Sequence, residues 1–117
     1  MSSSKLVTLT ADNFDALVLA AERTAVVDFW APWCPPCRAL GPTIEALAGE
    51  RPDVVVGKLD VDDHPAIAER YGIHNIPTVL VFRNGQLASR SVGLVPIGRL
   101  RELLEDPAAA EAEKATA

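Results

Sequence analysis

Ala25-Val26-Val27-Asp28-Phe29-Trp30-Ala31-Pro32-Trp33-Cys34-Pro35-Pro36-Cys37 decides how this chain is read. Residues 25 to 30 are β-branched, aromatic and almost continuously apolar, the pattern of a strand covered on both faces. Asp28 is the exception within it. From about Cys34 to Glu50 the period changes: Leu40, Ile44 and Leu47 fall on one helical face. Pro42 lies inside this stretch and should kink it, because it removes a backbone donor and crowds the preceding turn. The two cysteines therefore stand where a strand gives way to a helix.

The same two periods alternate on either side. Upstream, Lys5 to Leu9 reads as a strand, and Thr10 can cap a helix that uses Phe14, Leu17, Val18 and Ala21. Downstream, Val54 to Leu59 reads as a third buried strand and Pro65 to about Tyr71 as a short helix. Thr78 to Phe82 and Leu87 to Val92 flank Arg83-Asn84-Gly85-Gln86, whose Asn-Gly pair signals a two-residue hairpin. Pro96 starts a last helix using Ile97, Leu100 and Leu104. The order β-α-β-α-β-α-β-β-α predicts an α/β domain: a mixed sheet, parallel early and closed by an antiparallel hairpin, with helices on both faces. The expected domain is 1–106. The segment 107–117 has no apolar residue larger than Ala and is expected to be disordered or a frayed extension of the last helix.

Composition narrows the function. With 117 residues, 49% of them apolar, one compact domain is expected. Lys and Arg number 11 against 16 Asp and Glu, a formal charge of −5, which leaves no basic face for nucleic acid. The apolar runs are too short for a membrane helix of about 20 residues, and the N-terminus lacks a secretory h-region, so the cytoplasm is the expected compartment. Two cysteines are too few for a disulfide scaffold.

At a strand-to-helix junction in a cytosolic α/β protein, Cys34-Pro35-Pro36-Cys37 reads as a redox dithiol. The spacing brings both sulfurs together in the first helical turn. Cys34 sits at the helix N-terminus, where unpaired N–H groups favour an anion, and is the expected nucleophile. Proline suits that turn because the N–H it lacks would have had no helical partner. Zinc would require His64 and His74 to join the cysteines, and neither has ligand-like spacing, so no metal or other cofactor is expected. The histidines read as surface residues, and Asp60, Asp62 and Asp63 as a solvated turn and capping cluster. Asp28 and Lys58 interrupt neighbouring strands. A lone buried charge is costly, so the two should meet directly or through water. Burial should raise the pKa of Asp28 and suit it to take the proton from Cys37.

In order, Val27 to Cys34, then Cys37, Pro42, Lys58-Leu59-Asp60-Val61-Asp62, Tyr71-Gly72-Ile73, Ile76-Pro77-Thr78 and Gly93 resemble the motifs of the thioredoxin family, over about Leu6 to Leu104. The resemblance implies a central mixed sheet of about five strands flanked by about four helices. It implies that Pro77 is cis beside the disulfide and that the Ile76 backbone pairs with an extended substrate. Trp33, Ile76, Pro77, Gly93 and Leu94 would form a flat apolar docking surface around the exposed Cys34 sulfur. The implied activity is protein-disulfide reduction: Cys34 attacks the target disulfide, and Cys37 resolves the mixed disulfide. A separate reductase, flavin-dependent with NADPH or ferredoxin-linked, would recharge a monomer that maintains redox homeostasis.

The family's reactive cysteine is known to lie near ~7 against ~8.5 for a free thiol, a value carried by the resemblance and not by these residues. That drop is about 2 kcal/mol, within reach of a helix terminus and one or two charge-assisted hydrogen bonds. It raises the thiolate fraction about tenfold and lowers intrinsic nucleophilicity about fivefold, a net gain of about twofold. The larger advantage is then the intramolecular reach of Cys37. The usual dipeptide between the cysteines is Gly-Pro; Pro35-Pro36 departs from it and should tune the potential. It resembles some tethered cytochrome-maturation reductases, but neither their N-terminal anchor nor their mid-domain insertion is expected here. An oxidase or isomerase, or a binding or holdase module needing no dithiol turnover, are the other readings. Arg38 keeps a positive charge beside the site, where many relatives have Lys.

Overall fold

The computed structural model describes residues 6–105. Five strands, β1 (Leu6–Leu9), β2 (Thr24–Trp30), β3 (Val55–Asp60), β4 (Thr78–Arg83) and β5 (Gln86–Val92), form one sheet in the order β1-β3-β2-β4-β5. β1, β3 and β2 are parallel, and β4 and β5 are antiparallel to their neighbours. The expected mixed sheet, parallel early and closed by a hairpin, is present. The hairpin turns on Asn84 (φ 53°) and Gly85 (φ 81°), the two positive φ values that favour Asn-Gly. A Cβ at Gly85 would also collide with the Leu19 carbonyl oxygen.

Helices α1 (Pro35–Glu50), α2 (Pro65–Arg70) and α3 (Ile97–Glu105) follow the expected order. α1 runs unbroken through Pro42. The first helical element differs from the expected α-helix: Asp15–Leu19 is a π-helical turn. Thr10 still marks its approach, its Oγ1 accepting from the N–H groups of Asp12 and Asn13. The chain then needs a wider turn, in which Ala20 N–H donates to the Asp15 carbonyl across five residues. The expected segment 107–117 lies outside the described residues.

Strand alternation divides the core in two. Val26, Val56, Val79 and Val81 point to one face, under Leu40, Ile44 and Leu47 of α1 and Leu100, Leu103 and Leu104 of α3. Ala25, Val27, Phe29, Leu59, Leu80 and Phe82 point to the other, with Phe14 and Val18 near the π turn and Ile67 and Ala68 of α2. By the same parity Asp28 and Lys58 emerge on the α1 face. Gly57 is required where β1 and β3 press together, since a Cβ there would lie 2.5 Å from Leu9 Cδ1.

Candidate active site

β2 ends at Trp30, and five residues later, at Pro35, the chain enters α1. Cys34 is the N-cap, extended at φ −92°, with Pro35 and Pro36 in the first turn. Its Sγ accepts the Cys37 N–H at 3.3 Å, the usual bond of an N-cap side chain to the third helical residue. Cys34 and Cys37 form a disulfide with Cα atoms 5.2 Å apart. The spacing, the junction and the helix terminus that the sequence implied are thus one object.

The disulfide packs in a small cluster with Ala31, Trp30, Val61 and Ile76. Cys34 Sγ lies 3.8 Å from the Ile76 carbonyl oxygen. The Ile76–Pro77 peptide is cis, as the resemblance implied. Thr78 Oγ1 donates to the Asn75 carbonyl, and Gly93 N–H to the Pro77 carbonyl at 2.8 Å. Gly93 has φ +97°, a conformation that disfavours any side chain. Loops after β2, before β4 and after β5 therefore converge on the sulfurs.

The expected exposed sulfur and flat surface need correction. Cys34 keeps only 3% of its surface and Cys37 1%, because Ala31, Val61 and Ile76 wrap the pair. Pro77 is buried and backs the surface; Ile76 and Gly93 are half-buried. Trp33 at 64% and Leu94 at 55% exposure supply the projecting apolar area, and Val92 adds to it.

Asp62 was missed as part of the site. It accepts the Trp33 indole N–H at 2.6 Å, and its own N–H is fixed by Asp60 Oδ1 at 2.9 Å. The signal was available: β2 and β3 are parallel neighbours, so the residues following each emerge at the same end of the sheet. His64 is half-buried, its Nδ1 accepting the Ala11 N–H, and His74 is exposed as expected. Arg38 donates to the Pro32 carbonyl and braces the loop before the disulfide.

Asp28 and Lys58 are register partners on the adjacent strands. Asp28 is fully buried, and neither carboxylate oxygen has a hydrogen-bond partner. Of the two expected arrangements, direct contact or a water bridge, direct contact with Lys58 is not formed. The Lys58 Nζ lies instead 3.8 Å from the Trp30 ring centroid. Burial pushes the Asp28 carboxyl up from 3.8 to about 7, with the Lys58 charge only partly offsetting it. Among the described residues no group of three His, Cys, Asp or Glu side chains gathers closely enough to hold a metal, and no helix is long and apolar enough to cross a membrane.

The thioredoxin family model matches residues 5–106. Thioredoxin 2 of Chlorobaculum tepidum is 41% identical over 105 residues, 89% of this chain and 96% of that protein. Thioredoxin of Buchnera aphidicola subsp. Acyrthosiphon pisum is 39% identical over 104 residues, covering 88% and 96%. A chloroplastic M-type thioredoxin of Zea mays is 43% identical over 94 residues, 80% of this chain, which spans 56% of the maize protein.

Proposed function

The chain belongs to the thioredoxin family, its activity is protein-disulfide reduction, and we propose that Cys34 makes the attack and Cys37 the release. The observation that carries this reading is the capping geometry: Cys34 Sγ sits at the N-terminus of α1, on the Cys37 N–H. That donor and the helix terminus favour the Cys34 thiolate in the reduced protein.

The Cys34 thiolate attacks one sulfur of the target, the target S–S bond breaks, and its first thiolate leaves and takes up a proton. Cys37 then passes its proton to the Asp28 carboxylate and attacks the Cys34 sulfur. The mixed disulfide breaks, the second target thiolate leaves, and the Cys34–Cys37 disulfide remains. Two electrons move from this dithiol to the target. The first target thiolate takes its proton from solvent, which received the one Cys34 gave up on ionising, and the second takes up the proton that Asp28 accepted from Cys37 and releases. A carboxyl titrating near 7 accepts and returns a proton at neutral pH with little penalty, which supports Asp28 as the base. Lys58 acts through its field on Asp28.

Trp33, Ile76, Gly93 and Leu94, backed by Pro77, form the docking surface. The Ile76 backbone pairs with an extended segment of the target. Pro35 and Pro36 stiffen the turn and tune the potential. Reducing equivalents come from a separate reductase, flavin-dependent with NADPH. The protein works as a monomeric domain of residues 1–106 in the cytoplasm, with 107–117 as a tail.

Insulin-disulfide reduction with the Cys34→Ser and Cys37→Ser variants tests the assignment. Cys34→Ser abolishes turnover, while Cys37→Ser completes one attack and stops at a mixed disulfide. Turnover retained in either variant removes the dithiol mechanism.

A further inference from the structure

Lys58 and Asp28 leave adjacent strands side by side, on the same face, at a register where the strands run about 4.8 Å apart. A lysine stem is long enough to bring its ammonium to such a carboxylate, and both Asp28 oxygens are without a partner. Yet the ammonium is over an indole ring. We propose that Trp30 is a positioning residue whose ring face holds the Lys58 ammonium away from the Asp28 carboxylate.

Trp30 follows Asp28 by two residues in β2, so it emerges on the same face, one step closer to the disulfide. Its ring and Lys58 line a surface groove of about 310 Å³ together with Leu6, Thr8, Asp60 and Asp63. Here the ammonium has a π face on one side and a groove open to solvent on the other. Moving to Asp28 would exchange that solvent for a buried site, and the desolvation of an ammonium opposes such a move even towards an opposite charge. Trp30 thus gives the cation an alternative that keeps it hydrated.

The groups that bear on Asp28 are few. β3 contributes Lys58, and β4 contributes the apolar Val79. α1 covers this face with Leu40 and Ile44, and its titratable residue there is Cys37. Asp60, register partner of Trp30, lies farther out in the groove wall. Among the described residues, Lys58 is therefore the one cation placed to change the proton affinity of Asp28 by moving. Its position decides whether the acid is a plain carboxylate at neutral pH or a group that exchanges protons there. This gives Trp30 meaning for the base role proposed for Asp28, but it is tested without turnover.

The test is titration of the Asp28 carboxyl carbon by NMR in the oxidised protein, where the cysteines do not titrate. Trp30→Leu releases Lys58, and the Asp28 midpoint falls by about one unit or more, a tenfold loss of proton affinity. Trp30→Phe, which keeps a ring and the packing, shows a smaller fall in the same direction. In the Lys58→Met background neither substitution moves the midpoint. A midpoint unchanged or raised in both ring variants overturns the proposal. So does a fall that persists in the Lys58→Met background, because the ring would then act by excluding water from Asp28. Either failure leaves the base role of Asp28 standing, since that role is read from the resolution step.

Discussion

The two faces of the sheet are built to different standards. On the π-turn and α2 face, Phe14, Tyr71 and Phe82 pack with ring centroids 5.4 to 6.0 Å apart, beside Phe29, Leu59, Leu80 and Ile67. The polar side chain buried at the edge of this face, Thr78, is satisfied, its Oγ1 donating to the Asn75 carbonyl. On the α1 and α3 face, valines and leucines form an equally buried layer, but Asp28 and Ser89 are set into it with oxygens that have no partner. One face contributes stability alone. The other gives up part of its stability, and at Asp28 the concession lies beside the dithiol.

Truncating the face with no unpartnered polar group should cost most. Phe82→Ala removes a ring that touches two others, and about 3 to 5 kcal/mol of unfolding free energy goes with it. Urea unfolding reads the loss. The ratio of attack to resolution rates in stopped flow should not change. A loss below about 1 kcal/mol, or a shift in that ratio, would erase the distinction between the faces.

At Asp28 the effect has the opposite sign and depends on pH. The folded-state value of about 7 lies above the ordinary 3.8, so between them the native chain holds a proton that the unfolded chain has released. Stability is therefore greatest below about pH 4 and falls as pH rises through 7, by up to about 4 kcal/mol relative to a chain without this carboxyl. Asp28→Asn should flatten that dependence, and above pH 7 it should be more stable than the parent. It should also slow resolution more than first attack. Parallel urea midpoints for the two proteins from pH 4 to 8 would remove the buried-acid account, and a defect confined to the first step would remove the base role.

How much of this could be read from the sequence differs between the faces in the same way. Apolar periodicity reports burial, so the strands, three of the four helical elements and the core of both faces were legible. So was the hairpin, because Asn84-Gly85 answers a specific φ requirement. The π turn was not, since Phe14, Leu17 and Val18 satisfy the period of either helix. Asp28 was visible as an interruption, and its partner strand was inferred. Where the Lys58 ammonium goes was not legible, because a four-carbon stem reaches either the carboxylate or the Trp30 ring, and only the desolvation balance separates them. Asp62 looked like a capping residue because Asp60, Asp62 and Asp63 cluster in a turn. Its bond to Trp33 follows from two loops meeting at the end of the sheet, so the signal for it lay in the parallel pairing of β2 with β3 and not in the turn itself.

Ser89 sharpens the comparison at the smallest scale. On β5 it pairs with Val81 of β4, so it points into the same α1 and α3 layer as Asp28, and its Oγ is buried without a partner. A hydroxyl in that state bears a desolvation cost that a methyl group does not, so Ser89→Ala should stabilise the fold by about 1 kcal/mol. The gain should be the same at pH 4 and pH 8, because a hydroxyl does not titrate there. β4 separates Ser89 from Asp28, a spacing of roughly 10 Å across two strand intervals, at which effects on stability add. The Ser89→Ala and Asp28→Asn gains should therefore sum within about 0.5 kcal/mol above pH 7. A larger discrepancy would mean that α3 repacks as a unit over both defects, and the α1 and α3 face would then be one coupled layer with its tolerance shared between them.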